Sequence, residues 1–181
     1  AQLLGSKAHI VMPTGSPAVK RNATQGYGAE IIECENTLYA RESTLQKVVA
    51  KTGATFIHPY DDYNVIAGQA TASKELIEEI GALDILLVPI GGGGLMSGTA
   101  LSTQHLLPNA KIIGAEPEIV NDAFRSLQSG QLKANTSIDT IADGLRTNLC
   151  TKTFGIINTY VDEIITVTET EIIAAMHLIW E

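Results

Sequence analysis

The sequence is short of the residues that mark several whole classes of protein. Its 181 residues hold two cysteines, Cys34 and Cys150, in separate segments and without metal-type spacing, which excludes a disulfide scaffold or a cysteine metal cluster. The expectation is two reduced thiols, one of them buried. Positive charge is also scarce: 12 Lys and Arg face 20 Asp and Glu, a formal charge of −8 and a pI near 4.9. Such a surface argues against nucleic acid or an anionic membrane as the main partner. No apolar run approaches membrane-spanning length and no charged-then-apolar leader stands at the amino end, so the expected compartment is cytoplasmic. Internal repeats and low-complexity stretches are missing too. What is present is 45% hydrophobic residues, enough for a real core in one large domain or two small ones, and a run of four glycines.

That run lies in Leu86-Leu87-Val88-Pro89-Ile90-Gly91-Gly92-Gly93-Gly94-Leu95-Met96-Ser97-Gly98, which reads as a buried strand, a glycine loop and a helix starting near Leu95. Residues without side chains open backbone dihedrals closed to others and bring bare N–H groups close to a ligand. The helix adds its unpaired amides and positive dipole end, so phosphate is the natural guest. The alternative is a flexible turn. A nucleoside-triphosphate loop needs Lys and Ser/Thr after its last glycine, whereas Thr99 and Ala100 follow Gly98. Met96 and Ser97 stand where a dinucleotide motif has its third glycine. The loop offers backbone without charge, which suits a phosphate monoester anchored elsewhere by the rest of its molecule.

The remaining chain alternates strand and helix. Ala8 to Met12 reads as a strand closed by Pro13; Ser16 as an N-cap before Pro17, opening a helix that Gly26 and Gly28 close around Tyr27. Ile31 to Cys34 is a strand, Leu38 to Thr52 a helix stopped by Gly53, and Thr55 to Ile57 a third short strand. This order requires parallel pairing with right-handed crossovers. His58-Pro59-Tyr60-Asp61-Asp62 marks a crossing between a small domain, residues 1–60, and a larger one, residues 61–181. In the larger one, Val65 to Ile80 is a helix with Ile66, Ala70, Ser73 and Ile77 at helical spacing, Lys111 to Ala115 a strand, and Asn121 to Leu127 a helix ended by Gly130. Residues 131–147 are irregular; a helix at Phe154 to Tyr160 and a strand at Ile164 to Val167 follow. Thr168 and Glu171 form a capping box for a last helix whose Ile172, Met176, Ile179 and Trp180 are expected to face inward. Ala1-Gln2-Leu3-Leu4-Gly5 reads as the end of a helix with its glycine stop, and the sequence closes inside a helix. A segment of a longer protein is expected.

Eight short motifs occur in one order: Ala8 to Pro13, Gly26-Tyr27-Gly28-Ala29-Glu30, His58-Pro59, Val65-Ile66-Ala67-Gly68-Gln69, Gly91 to Leu95, Ala115-Glu116-Pro117, Ile141-Ala142-Asp143-Gly144 and Thr166-Val167-Thr168-Glu169. In this the chain resembles the fold-type II pyridoxal-phosphate enzymes, and among them the eukaryotic-type serine racemases and serine/threonine dehydratases. The resemblance implies an α/β fold of parallel sheets with flanking helices, part of a small domain followed by part of a large one. It implies a cofactor phosphate held at Gly91, Gly92, Gly93 and Gly94, a further backbone contact at Leu95, and Gly144 beside the cofactor ring. Tyr60 falls where relatives often place a cofactor-contacting asparagine; its alternative is a surface aromatic. Glu116, Val120 and Asp122 read by spacing alone as a solvated acidic turn, although two carboxylates and a carbonyl can supply half the shell of a hard cation. Here the resemblance implies a Mg²⁺ or Ca²⁺ site with a structural or activating role. Tyr27 matches a position near the allosteric ATP site of animal serine racemases, or simply packs at a helix end.

The departures are equally specific. The Ser-Phe-Lys-type motif whose lysine carries the cofactor and the Ser-Gly-Asn-His loop that binds the substrate carboxylate are both missing; Lys7, Lys20, Lys47, Lys51, Lys74, Lys111, Lys133 and Lys152 lie in other contexts. Those motifs precede the matching region in relatives, and the partner of the pyridine nitrogen follows it. No catalytic residue is therefore assigned. The leading expectation is the middle of a serine racemase that also eliminates the β-hydroxyl to give pyruvate and ammonia, acting as a homodimer on serine or threonine. The alternatives are a threonine/serine dehydratase and a non-catalytic truncated form acting through a full-length partner.

Overall fold

Short apolar runs separated by helices leave each strand pointing the same way as its neighbour, and every described pairing is parallel. The computed structural model describes residues 1–180, the side chain of Leu38 excepted. They form two compact units, Ala1–Ile57 and the residues from His58 onward.

The first unit opens with a tight helical turn, Gln2–Leu4, closed by Gly5. It continues through β1 (His9–Pro13), α1 (Ala18–Gly26), β2 (Glu30–Cys34) and α2 (Leu38–Thr52), with β1 and β2 in register from His9 opposite Glu30 to Pro13 opposite Cys34. Helix α1 starts one position later than the Ser16-Pro17 signal predicts. Pro17 keeps an extended ψ of 137° and is itself the cap, which leaves the Ser16 side chain outside capping position. At the other end Tyr27 follows the helix and Gly28 takes a φ of 76°, its N–H donating to Gln25 O at 2.9 Å. Thr37 caps α2, accepting from the Ala40 amide, and Gly53 closes it. The strand expected at Thr55 to Ile57 does not form. Three residues are short for a strand, and here they take no regular structure, with Phe56 and Ile57 exposed.

The second unit comprises α3 (Tyr63–Ile80), β3 (Ile85–Pro89), α4 (Gly94–Leu106), β4 (Lys111–Pro117), α5 (Asp122–Ser129), α6 (Thr151–Tyr160), β5 (Glu163–Val167) and α7 (Glu169–Trp180). The sheet order is β3-β4-β5. Val88, Ile90, Ile112 and Ile164 of one sheet face pack with Met96, Ala100, Leu149 and Ile157 into the core. On the other face Ile85, Leu87 and Ile165 are exposed. Helices α3 and α4 cross so closely that a Cβ at Gly98 would stand 2.5 Å from Ala70 N.

Thr168 and Glu171 do form the capping box, with Glu171 accepting from the Thr168 amide at 2.8 Å. The inward stripe of α7 is only half realised. Ile172 and Met176 are half-buried, but Ile179 is 79% and Trp180 81% exposed, because among the described residues nothing covers the last turn. Cys34 is buried, Cys150 half-buried, and both are free thiols.

Candidate functional site

The glycine loop is where β3 ends and α4 begins. The Ile90 amide continues the ladder by donating to Ala115 O at 2.9 Å, and the next four residues are all buried. Gly93 adopts a φ of 84°, a backbone state that favours glycine, and caps α4 with no side-chain hydrogen bond. The first-turn amides of α4 thus carry no competing side-chain acceptor, and the dipole of the helix adds positive potential there. Leu95, half-buried, is the second residue of that helix and leans on the core.

Three walls press on the loop. A Cβ on Gly92 would stand 2.4 Å from Tyr60 Cδ1 and one on Gly94 2.9 Å from Tyr60 Cβ; the tyrosine ring lies directly over the glycines. A Cβ on Gly91 would meet Leu145 Cα at 3.0 Å, Gly144 O at 3.1 Å and Thr147 Oγ1 at 3.2 Å. One on Gly93 would meet Leu149 Cδ2 at 2.7 Å and the Thr153 and Ile157 side chains at 3.0 Å. Gly144 itself is different: a Cβ there would meet nothing within 4 Å, so open space lies beside it.

Each wall has its own polar anchor. His58 Nδ1 accepts from the Tyr60 and Asp61 amides at 3.3 and 2.8 Å, and its ring meets the Tyr60 ring edge-on at 4.6 Å. Asp61 Oδ1 accepts from the amides of Lys152 and Thr153 at 3.0 and 3.3 Å, so a residue before α3 caps α6. The local cap of α6 is the weak acceptor Cys150, whose thiol is pushed up by burial and by the Asp61 charge. The Gly144 segment is held by Glu169, which accepts from Thr140 Oγ1 at 2.6 Å and from the Ile141 amide at 2.7 Å. These bonds hold the Glu169 carboxyl below its ordinary value. Arg146 Nε adds a bond to Thr140 O at 3.0 Å.

A second cluster lies at the end of β4. Glu116 is 1% and Asp122 0% exposed, which overturns the solvated-turn alternative; Val120 between them is buried as well. Glu116 accepts from the Ala123 and Phe124 amides at 3.1 and 3.0 Å. Asp122 accepts from Asn135 Nδ2 and from the Leu149 amide, both at 2.7 Å. Burial, the amides notwithstanding, raises Glu116 to about 8, with Asp122 beside it contributing; burial raises Asp122 too. Two adjacent buried carboxyls either share a proton or take up a cation. Among the described residues no group of three or more His, Cys, Asp or Glu could hold a metal, so a cation here would need carbonyl or water oxygens as well. Tyr27 is in the first unit, exposed at the end of α1.

The arrangement around Gly91 to Gly94 brings Tyr60 and Gly144 to the loop. It also recruits Leu145, Thr147, Leu149, Thr153 and Asp61, which no local motif marks. Neutral amides at a helix start, four missing side chains and open space at Gly144 fit a phosphoryl group whose attached body approaches closely.

Comparison with known proteins bears on what that body is. The family model for pyridoxal-phosphate dependent enzymes matches residues 1–181. The L-threo-3-hydroxyaspartate ammonia-lyase of Saccharomyces cerevisiae is 47% identical over 182 residues, covering 100% of this chain and 56% of that protein. The β-hydroxyaspartate dehydratase of Paracoccus denitrificans is 44% identical over 181 residues, covering 100% and 58%. The crystal structure of serine racemase from Dictyostelium discoideum aligns with a TM-score of 0.91 at 45% identity, covering 99% of this chain and 57% of that one. The chain spans just over half the length of these relatives.

Proposed function

The chain belongs to the pyridoxal-phosphate-dependent enzyme family, and on that premise we propose that it forms part of a serine racemase, interconverting L- and D-serine with accompanying β-elimination to pyruvate and ammonia. The observation that carries the reading is the side-chain-free cradle of Gly91 to Gly94 at the start of α4, with open space at Gly144. When bound, pyridoxal phosphate supplies an electron sink for the charge left by removal of an α-proton. The residues of this chain hold and orient. Amides of Gly91 to Leu95 would hold the cofactor phosphate and Gly144 would leave room for its ring, while Tyr60 covers the loop. Proton transfer falls to groups outside these 181 residues.

Further parts of the reading follow the same premise. Residues 1–60 and 61–181 are incomplete small and large domains. Glu116, Asp122 and the Val120 carbonyl hold Mg²⁺ or Ca²⁺; two buried carboxyls that a proton would otherwise bridge support this. The exposed Tyr27 ring is the contact for an ATP effector. The complete protein works as a homodimer in the cytoplasm; among the described residues no helix is long and apolar enough to cross a membrane.

A second reading has direct support, because the hydroxyaspartate-cleaving relatives match as well as the racemase does. Both readings share a β-hydroxy-α-amino acid substrate. Chiral product analysis of the complete protein with L-serine, L-threonine and threo-3-hydroxyaspartate separates them. D-serine together with pyruvate supports the racemase; pyruvate without D-serine indicates a dehydratase. Ammonia and oxaloacetate from hydroxyaspartate, with serine untouched, sinks the serine reading.

A further inference from the structure

We infer that Asp61 is a positioning residue for the cofactor-phosphate cradle, acting as a clasp between two of its walls. This rests on the reading of Gly91 to Gly94 as that cradle. One wall is Tyr60, whose ring lies over Gly92 and whose Cβ lies over Gly94. The other is the stretch Leu149 to Ile157, whose Leu149, Thr153 and Ile157 side chains crowd Gly93. Asp61 adjoins the first wall in sequence and bonds the second: its Oδ1 accepts from Lys152 N at 3.0 Å and Thr153 N at 3.3 Å. Lys152 returns the connection, Nζ donating to Asp61 O at 3.1 Å and lying 3.6 Å from Oδ2.

The local geometry makes this clasp hard to replace. The α6 cap within its own segment is a cysteine thiol, a poorer acceptor than the Ser, Thr, Asp or Asn oxygens that dominate N-caps. The carboxylate of Asp61 supplies the charged oxygen that Cys150 lacks, and supplies it from the neighbour of Tyr60. Losing it frees the Lys152 amide, leaves the Thr153 amide to the Cys150 thiol alone, and lets the Tyr60 segment and α6 drift apart, widening the loop between them. The next residue provides a matched control. Asp62 caps α3 in the same way, accepting from Asn64 N and Val65 N, but among the described residues its side chain bonds only its own helix.

The test uses the complete protein, stripped of cofactor and titrated with pyridoxal phosphate, binding being read by cofactor fluorescence and by the phosphorus NMR signal of the bound phosphate. Asp61→Ala should weaken affinity about tenfold, the scale set by loss of a good cap, and shift the phosphorus signal. Asp61→Asn, which keeps the accepting oxygen, should restore both to within about twofold. Asp62→Ala should lower the melting temperature comparably while leaving affinity and signal unchanged. Equal effects of Asp61→Ala and Asp62→Ala on affinity would overturn the positioning role and leave the cofactor reading intact. A wild-type protein that binds no pyridoxal phosphate would overturn both. Should Asp61→Ala fail to fold, Asp61→Glu keeps charge and cap but lengthens the clasp by one methylene. Weakened binding at an unchanged melting temperature then supports the clasp, and wild-type binding refutes it.

Discussion

The same substitution, glycine to alanine, should act with opposite sign at two positions in the α3–α4 pair. At Gly98 a new Cβ would stand 2.5 Å from Ala70 N, 2.7 Å from Ile66 O and 2.8 Å from Gln69 C, all backbone atoms of α3. An unstrained contact needs roughly an ångström more, and backbone in mid-helix cannot swing aside as a side chain tip can. The helices must separate, beside a core that holds Ile66, Met96 and Ala100 almost fully buried. Overpacking of this kind costs about 1–3 kcal/mol, offset by about 1 kcal/mol from the better helix propensity of alanine. At Gly68, inside α3, nothing lies within 4 Å of the added methyl, and propensity alone gives a gain of about 0.5–1 kcal/mol. Urea titration of the complete, cofactor-loaded protein, followed by far-ultraviolet circular dichroism, should place the midpoints in the order Gly98→Ala below wild type below Gly68→Ala. A Gly98→Ala midpoint at or above wild type would refute the close-crossing argument.

Gly144→Ala meets open space, so stability should hold while pyridoxal phosphate affinity falls, by about tenfold if the methyl intrudes on the ligand; calorimetric titration beside a melting curve reads both. Asp122→Asn keeps the shape at the bond to Leu149 but removes a charge, and should abolish Mg²⁺ or Ca²⁺ binding measured by the same method. Unchanged metal affinity would remove the cation from Glu116 and Asp122. Glu169 and Glu171 both have folded-state values below the ordinary 4.5. A lowered carboxylate stabilises the fold above its unfolded value and loses that contribution as pH falls through the folded value, so acid should weaken the Thr140 and Thr168 contacts only below the ordinary carboxyl range. Thr168→Ala removes the hydroxyl bond but keeps the larger amide bond, so it should reduce the part of the acid-stability profile due to Glu171, which Glu171→Gln should abolish; an unaltered profile in Glu171→Gln would remove the capping box as its cause.

What was legible in the sequence was what local chemistry writes. The bounds of α2, the capping box of α7 and the passage from strand through glycines to helix each depend on residues within a few positions of one another. What was not legible depends on partners far along the chain. Thr55 to Ile57 has the composition of a strand but takes no regular structure. Ile179 and Trp180 share the apolar stripe of α7, and a stripe says which face would be buried, not whether anything covers it. Spacing reads Glu116 and Asp122 as an acidic turn; only tertiary packing puts both out of water, with Asn135 and Leu149 bonding Asp122 from 13 and 27 positions away. Asp61 reads in the sequence as one of two acids in a crossing between domains, and its bond to Lys152 spans 91 positions with no pattern to betray it.

That span has a consequence in time as well as in space. A polypeptide is made from its amino end, so the His58 to Asp62 segment leaves the ribosome long before the start of α6 exists. At ordinary translation speeds of about 5–20 residues per second, the delay is on the order of 5–20 s. During it Gly91 to Gly94 have emerged, yet Leu145, Leu149 and Thr153, which brace two of their sides, have not. A nascent chain therefore holds an unbraced loop, and if that loop is the proposed cofactor cradle, loading is a late event that reports that the distant helix has arrived.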